Sequence, residues 1–271
     1  MQRAEGSARI LLSGSDRGTR VMDVFERSPL RVMFPRVGAE VEEAVLINTA
    51  GGIAGGDKLG VQVTVLTDAS INVTTQAAEK VYRALSQPAR ITTNLKVANA
   101  AKLAWLPQET ILFNGGRLTR KMEIEVSSGG EVLALEWLVL GRALNGEKVI
   151  WGHITDSWRV RKDGRLIWAD SFRISDSGFP NIRRNALLGN CIAVATLIYY
   201  GPHLESSLGH FRDILPSSGY HCGATLIGGL IIIRFAARSA FDLRCALRAF
   251  LENVSLEPCS GPFRVPKMWS C

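Results

Sequence analysis

Between about residues 20 and 176 the chain obeys one rule: a short run of β-branched and apolar residues, a turn signal, then another such run. Ala44–Asn48, Gly60–Thr67, Ser70–Thr75, Arg90–Val97, Lys102–Leu106, Lys121–Val126, Glu131–Val139, Lys148–Ile154, Ser157–Arg161 and Arg165–Ile174 all have strand composition. Thr67-Asp68-Ala69, Asn114-Gly115-Gly116, Ser127-Ser128-Gly129-Gly130 and Asp163-Gly164 punctuate them. So many short strands predict an all-β sandwich, barrel or stacked-sheet body. No fixed repeat length is visible, which gives a regular solenoid no support.

The C-terminal third reads differently. Asn181–Leu197 follows Pro180, is apolar on most faces and is expected to be a helix. Gly223–Phe235 reads as a strand or strand pair bent at Gly228-Gly229, and Ala240–Glu252 as a second helix. The expected fold is therefore mainly β, a large stacked-sheet, sandwich-like body with about two flanking α-helices in the C-terminal third. No Pro/Gly/Ser linker divides the chain, so residues 1–271 read as one domain. It is strand-rich over 20–176, helix-containing over 177–257 and closed by an extended tail over 258–271.

Asn48-Thr49-Ala50-Gly51-Gly52-Ile53-Ala54-Gly55-Gly56-Asp57 invites a nucleotide-loop reading. A phosphate loop must open a helix, whose N-terminal N–H groups and dipole hold the anion. Here the segment runs instead into the alternating strand Val61-Gln62-Val63-Thr64-Val65, with no Gly-Lys-Ser/Thr ending. Gly51, Gly52, Gly55 and Gly56 are better explained by a tight crossing between strands where a side chain would not fit.

Composition excludes several classes. Apolar residues make up 46% of the chain, too many for a disordered scaffold. The longest apolar stretches, Ile192–Tyr200 and Leu226–Ile233, are too short to span a bilayer as helices. No signal-peptide pattern opens the chain, so a cytoplasmic protein is expected. Net charge is +7 without a block of like charges, and Arg159–Arg165 reads as a hairpin tip around Asp163-Gly164. Five widely spaced cysteines with no Cys-x-x-Cys argue against a disulfide framework or structural zinc. Cys191 and Cys245 fall in apolar patterns expected to be core.

No nucleophile elbow or metal-spaced cluster appears. His153 reads as a strand residue, and His221-Cys222 are adjacent on one strand and so face opposite ways. Acidic residues inside apolar or glycine-rich segments remain: Asp57, Glu79, Glu109, Glu136 and Glu147. Buried carboxylates must be paired or hydrated, with Lys80, Arg83, Arg117 and Arg142 nearby in sequence. Two such carboxylates could instead serve as acid and base on a carbohydrate or small anion, which keeps a β-sheet enzyme open as an alternative. Charge alone suggests a nucleic-acid-binding module. Gly141-Arg142 with Gly146-Glu147 fits a turn clamped by an ion pair, or a polar docking point at the rim of the sheet.

Several segments, taken in order, resemble the urease accessory protein UreD (UreH) family. They are Asn48–Asp57, Thr74-Thr75-Gln76-Ala77-Ala78-Glu79-Lys80-Val81-Tyr82-Arg83, Leu106-Pro107-Gln108-Glu109-Thr110-Ile111-Leu112-Phe113, Gly141-Arg142 with Gly146-Glu147, Trp158–Leu166 and Pro266-Lys267-Met268-Trp269. Asn114-Gly115-Gly116-Arg117 departs from the family's Asp-Gly-Ala-Arg, as do Leu144-Asn145 before Gly146-Glu147. The resemblance implies a non-enzymatic scaffold that binds apo-urease with an F-type accessory protein and a G-type GTPase. It also allows self-association through that complex, and implies neither nucleic acid nor membrane as partner. The scaffold would assist nickel delivery, binding no cofactor stably, with GTP on a partner. On that reading Asp57, Glu79, Glu109 and Glu147 are candidates for a nickel transit path. Gly51, Gly52, Gly55, Gly56, Gln76, Lys80, Gln108 and Arg142 are candidate structural or docking positions. The apolar, proline-containing C-terminal region is the expected docking patch.

Overall fold

Leu59, Val61, Val63 and Val65 alternate with polar residues along one strand, and all four are buried. Such a strand offers one face to a core and must find a second layer to cover it. The computed structural model describes residues 3–16, 18–35, 42–142, 146–215, 220–254, 263 and 265–270. Its strands are β1 (Glu5–Ser15), β2 (Gly18–Arg27), β3 (Leu30–Met33), β4 (Glu42–Asn48), β5 (Lys58–Val65), β6 (Ser70–Thr75), β7 (Glu79–Val81), β8 (Ala89–Val97) and β9 (Lys102–Trp105). They continue with β10 (Thr110–Leu112), β11 (Arg117–Val126), β12 (Glu131–Leu140), β13 (His153–Lys162), β14 (Arg165–Ile174), β15 (Ala193–Tyr200), β16 (His221–Ile227) and β17 (Leu230–Ala237). Helices α1 (Leu204–Ile214) and α2 (Ala240–Val254) complete the fold.

Two sheets stack. The first has the order β14-β13-β11-β8-β5-β1-β2, and the second β16-β17-β15-β12-β9-β6-β4-β3, with β7 and β10 alongside β12. From β4 to β13 the chain switches sheets repeatedly, so β5, β8, β11 and β13 pair in parallel in one sheet and β4, β6, β9 and β12 in the other. This is a coil of strand pairs, flanked by antiparallel hairpins. Lys58 pairs with Arg90, Arg90 with Thr119 and Thr119 with Thr155. The spacing changes at every turn, which is why no repeat length marks the sequence.

The molecule has three layers. One apolar cluster lies between the sheets, and a second lies between the second sheet and the helices. Along β12 the two clusters alternate: Val132, Ala134 and Leu138 face the first sheet, while Leu133, Leu135 and Trp137 face the helices. Every residue of β12 is buried, as a strand covered on both faces must be.

The mainly β fold with two C-terminal α-helices is as expected, but one helix lies elsewhere. Asn181–Leu197 is not helical: turns run through residues 182–190, and the apolar run that follows is β15, paired with β12 and β17. A strand buried on both faces is apolar at every position and cannot be told from a buried helix by periodicity. Leu197 and Tyr199 face the helices and Ile198 and Tyr200 the first sheet, the period of two that defines a strand. The helix is instead Leu204–Ile214, where Phe211 is the one buried residue. The runs Lys148–Ile154 and Ser157–Arg161 resolve into an irregular approach followed by β13. The hairpin tip is as expected: Asp163 and Gly164 both have positive φ, the two-residue turn that matches strand twist. Gly223–Phe235 is the hairpin β16–β17 turning at Gly228-Gly229. Cys191 is buried in a turn, whereas Cys245 on α2 is exposed.

Two further expectations concern the tail. Residues 258–262, 264 and 271 lie outside the described residues. Lys267–Ser270 form a short 3-10 turn rather than an extended strand, and Phe263 and Trp269 are buried against the second sheet. In the described part of the tail Phe263, Pro266 and Trp269 are buried, Val265 and Met268 are half-buried and Lys267 is exposed. Trp269 packs on Trp137 with ring centroids 5.7 Å apart and donates its indole N–H to the Leu106 carbonyl at 3.1 Å.

Candidate functional site

The glycine loop carries the chain from β4 in the second sheet to β5 in the first. Ile53 pairs with Lys80 and Val81: its N–H donates to the Lys80 carbonyl at 2.7 Å, and Tyr82 N–H returns to the Ile53 carbonyl at 2.9 Å. A side chain on Gly52 would meet the Tyr82 ring at 2.5 Å, and one on Gly55 would strike Ala84. The loop is thus a tight crossing, and no helix follows it. Asp57 fastens it, accepting N–H bonds from Ala4 at 2.9 Å and Ala54 at 2.8 Å.

Beside this loop a cavity of about 260 Å³ opens between the sheets. Gly51, Gly52, Gln76, Glu79, Lys80 and Gln108 all line it. Glu79 is its half-buried carboxyl, and Asn48 Nδ2 lies 3.0 Å from each of its oxygens. Burial pushes the carboxyl up to about 7, against the Asn48 hydrogen bond that favours the charged form. Gln76 and Lys80 are exposed and act mainly through backbone, Gln76 N–H donating to the Leu46 carbonyl.

Of the other predicted carboxylates Glu136 also lines this cavity, and Asp57, Glu109 and Glu147 lie off it. Glu109 accepts from Arg244 of α2 at 2.6 Å. The same guanidinium reaches Gln108 Oε1 at 3.0 Å, and Gln108 Nε2 donates to the carbonyls of Gln76 at 2.8 Å and Met268 at 3.1 Å. Gln108 and Glu109 therefore tie α2 and the tail to the cavity wall. Glu147 takes two bonds from Arg142, Nε and Nη2 both at 3.0 Å, and those bonds hold its carboxyl below the usual range. Arg142 also stacks 4.1 Å over Phe113. This is the turn-clamping ion pair; Ala143, Leu144 and Asn145 between its partners lie outside the described residues.

A second polar cluster was not expected as a unit. Arg120 on β11 falls in phase with the buried Leu118, Met122, Ile124 and Val126 and is only 2% exposed. It grips Asp156, its register partner on β13, with Nε at 3.0 Å and Nη2 at 2.6 Å. Its Nη1 donates across the gap to Glu136 of β12 and to Thr110 Oγ1 at 3.0 Å. Trp105 Nε1 supplies Glu136 with a further bond at 3.0 Å. Burial pushes the Glu136 carboxyl up while Arg120 opposes the rise. The available signal was Arg120 itself, a charge on the inward phase of an alternating strand that has to find buried partners. Glu136 was visible in its apolar run, but its partner was not.

A cavity of about 600 Å³ lies beyond this cluster, with His221 and Cys222 in its lining. Among the described residues no group of three or more His, Cys, Asp or Glu side chains could hold a metal ion. Glu136 and Asp156 share one guanidinium, an arrangement unlike two free carboxylates flanking a scissile bond. Among the described residues no helix is long and apolar enough to cross a membrane.

The fold and its two cavities define a β-rich scaffold whose interior carries the Glu79 carboxyl and the Arg120–Glu136–Asp156 cluster. Comparison with known proteins gives it a family. Residues 4–270 match the family model described as UreD urease accessory protein. Urease accessory protein UreD of Rhizobium leguminosarum bv. viciae is 38% identical over 269 residues, covering 99% of this chain and 96% of the relative. That of Mesorhizobium japonicum is 39% identical over 273 residues, covering 99% and 95%. The chain belongs to the UreD urease accessory protein family. Its role is accessory rather than catalytic, in the maturation of urease, and implies contact with urease and other accessory proteins.

Proposed function

We propose that this chain is the scaffold on which nickel is passed to apo-urease, in a cytoplasmic complex with an F-type accessory protein and a G-type GTPase that supplies the GTP chemistry. The chain binds no cofactor stably, self-associates through that complex and takes neither nucleic acid nor membrane as a partner. Nickel is cargo, moving through the hydrated space between the two sheets. The observation that carries the maturation role is the family match over residues 4–270, and the path rests on the Glu79 carboxyl lining the cavity between the sheets. Imidazole and thiolate cages hold nickel tightly, whereas carboxylates and water let it go.

Glu79 is then the transit ligand, and Asp57, Glu109 and Glu147, which lie off the cavity, hold the glycine loop, helix α2 and the Arg142 turn around it. The test is urease nickel content in a strain lacking this gene, restored with the native chain or with Glu79→Ala, Asp57→Ala, Glu109→Ala or Glu147→Ala. Folding and complex assembly are checked for each. Nickel-poor urease with assembled Glu79→Ala supports the reading. Full nickel loading in all four variants overturns the path, and full loading in the deletion strain overturns the maturation role.

A further inference from the structure

Both cavities end on the same two side chains. Arg120 and Glu136 line the smaller cavity and the larger one, and Asp156 joins them in the larger. Arg120 reaches from the first sheet to Glu136 on the second, so one buried side chain stands where the two spaces adjoin, the larger of which opens to solvent past the exposed His221, Gly223 and Thr225.

We propose that Arg120 is a removable stopper: it keeps the two cavities apart and yields Glu136 and Asp156 to a passing divalent cation by exchange. This rests on the transit reading above and adds the residue that closes the route.

The charge count favours exchange. Two carboxylates and one guanidinium sum to one net negative charge when all are ionised. A divalent cation between the two carboxylates brings their own sum to zero, while the displaced guanidinium keeps its charge and is hydrated only at the exposed rim of the larger cavity, beside His221, Gly223 and Thr225. Arginine keeps its proton, so it can leave only by swinging away. The larger cavity, about 600 Å³, offers room for a long side chain to do so. The vacated donors are carboxylate oxygens and the Thr110 hydroxyl, hard ligands that fall short of a cage and so release the ion. Closed, the stopper prevents leakage of unselected cations; it opens only to an ion that outcompetes a bidentate guanidinium.

The test has two readouts on the full chain. Equilibrium dialysis against nickel chloride should give Arg120→Gln one more bound nickel per chain than the native protein. The triple variant Arg120→Gln/Glu136→Gln/Asp156→Asn should lose it again. Equal nickel on native and folded Arg120→Gln overturns the proposal. Should Arg120→Gln fail to fold, Arg120→Lys takes its place, since a lysine keeps the charge but cannot grip both carboxylates; no gain of nickel over the native chain then overturns it. In the assembled maturation complex, supplied with equal zinc and nickel, the folded variant should raise urease zinc severalfold. A zinc-to-nickel ratio equal to the native one marks Arg120 as a structural ion pair alone and also overturns the proposal. Failure of the transit reading shows separately, as full nickel loading of urease matured with each of Glu79→Ala, Asp57→Ala, Glu109→Ala and Glu147→Ala.

Discussion

Replacing Glu79 by Gln turns the cavity carboxyl into a permanently neutral group of the same shape. The folded protein holds Glu79 at about 7, against 4.5 for an unperturbed glutamate. A carboxyl raised on folding binds its proton more tightly in the folded state, so its contribution to stability is present below 4.5 and lost as pH rises through 7. At 1.36 kcal/mol per pKa unit, the native chain stands about 1 kcal/mol below its protonated form at about pH 5.5, and about 3 kcal/mol below it at about pH 8. The native chain should therefore lose about 2 kcal/mol relative to Glu79→Gln between those pH values. Gln rearranges the bonds to Asn48, but that offset does not depend on pH; only the change in the difference is diagnostic. Groups common to both chains cancel. The assay is urea unfolding of both proteins at the two pH values, compared as extrapolated free energies. A difference that stays constant, or that grows in favour of the native chain at high pH, would refute the assignment of Glu79 as a desolvated carboxyl.

Three other variants probe the frame. Arg120→Met leaves Glu136 and Asp156 without their cation and should cost about 3–5 kcal/mol in urea unfolding, with much of the loss recovered in Arg120→Met/Glu136→Gln. Gly55→Ala drives a methyl into Ala84 and to 2.6 Å from the Gln87 carbonyl; about 1–3 kcal/mol of stability should go, read as a lower melting temperature. Trp269→Ala empties the space over Trp137 and strips the Leu106 carbonyl of its donor, which should cost about 3–5 kcal/mol and expose α2 to hydrogen exchange.

What could be read along the chain was what neighbours in sequence decide. The alternation in β5, the positive-φ turn at Asp163-Gly164 and the glycine crossing before Asp57 are local, because side-chain direction and allowed φ depend on adjacent residues. So were the family motifs, which sit on those same loops, and the placing of Glu79, Gln76 and Gln108 among them. Three things needed the folded molecule. β15 became a strand because β12 and β17 leave a slot that only an extended chain fills, and a segment covered on both faces carries no period to announce itself. The coil of parallel strands stayed hidden because its turns differ in length. The joining of Arg120, Glu136 and Asp156 stayed hidden because β11, β12 and β13 approach one another only after the chain has crossed between sheets. Sequence by itself determined the alternating strands, the turns and the family; tertiary structure alone made β15 a strand and decided which charges meet inside, because buried charges answer to distance in space rather than along the chain.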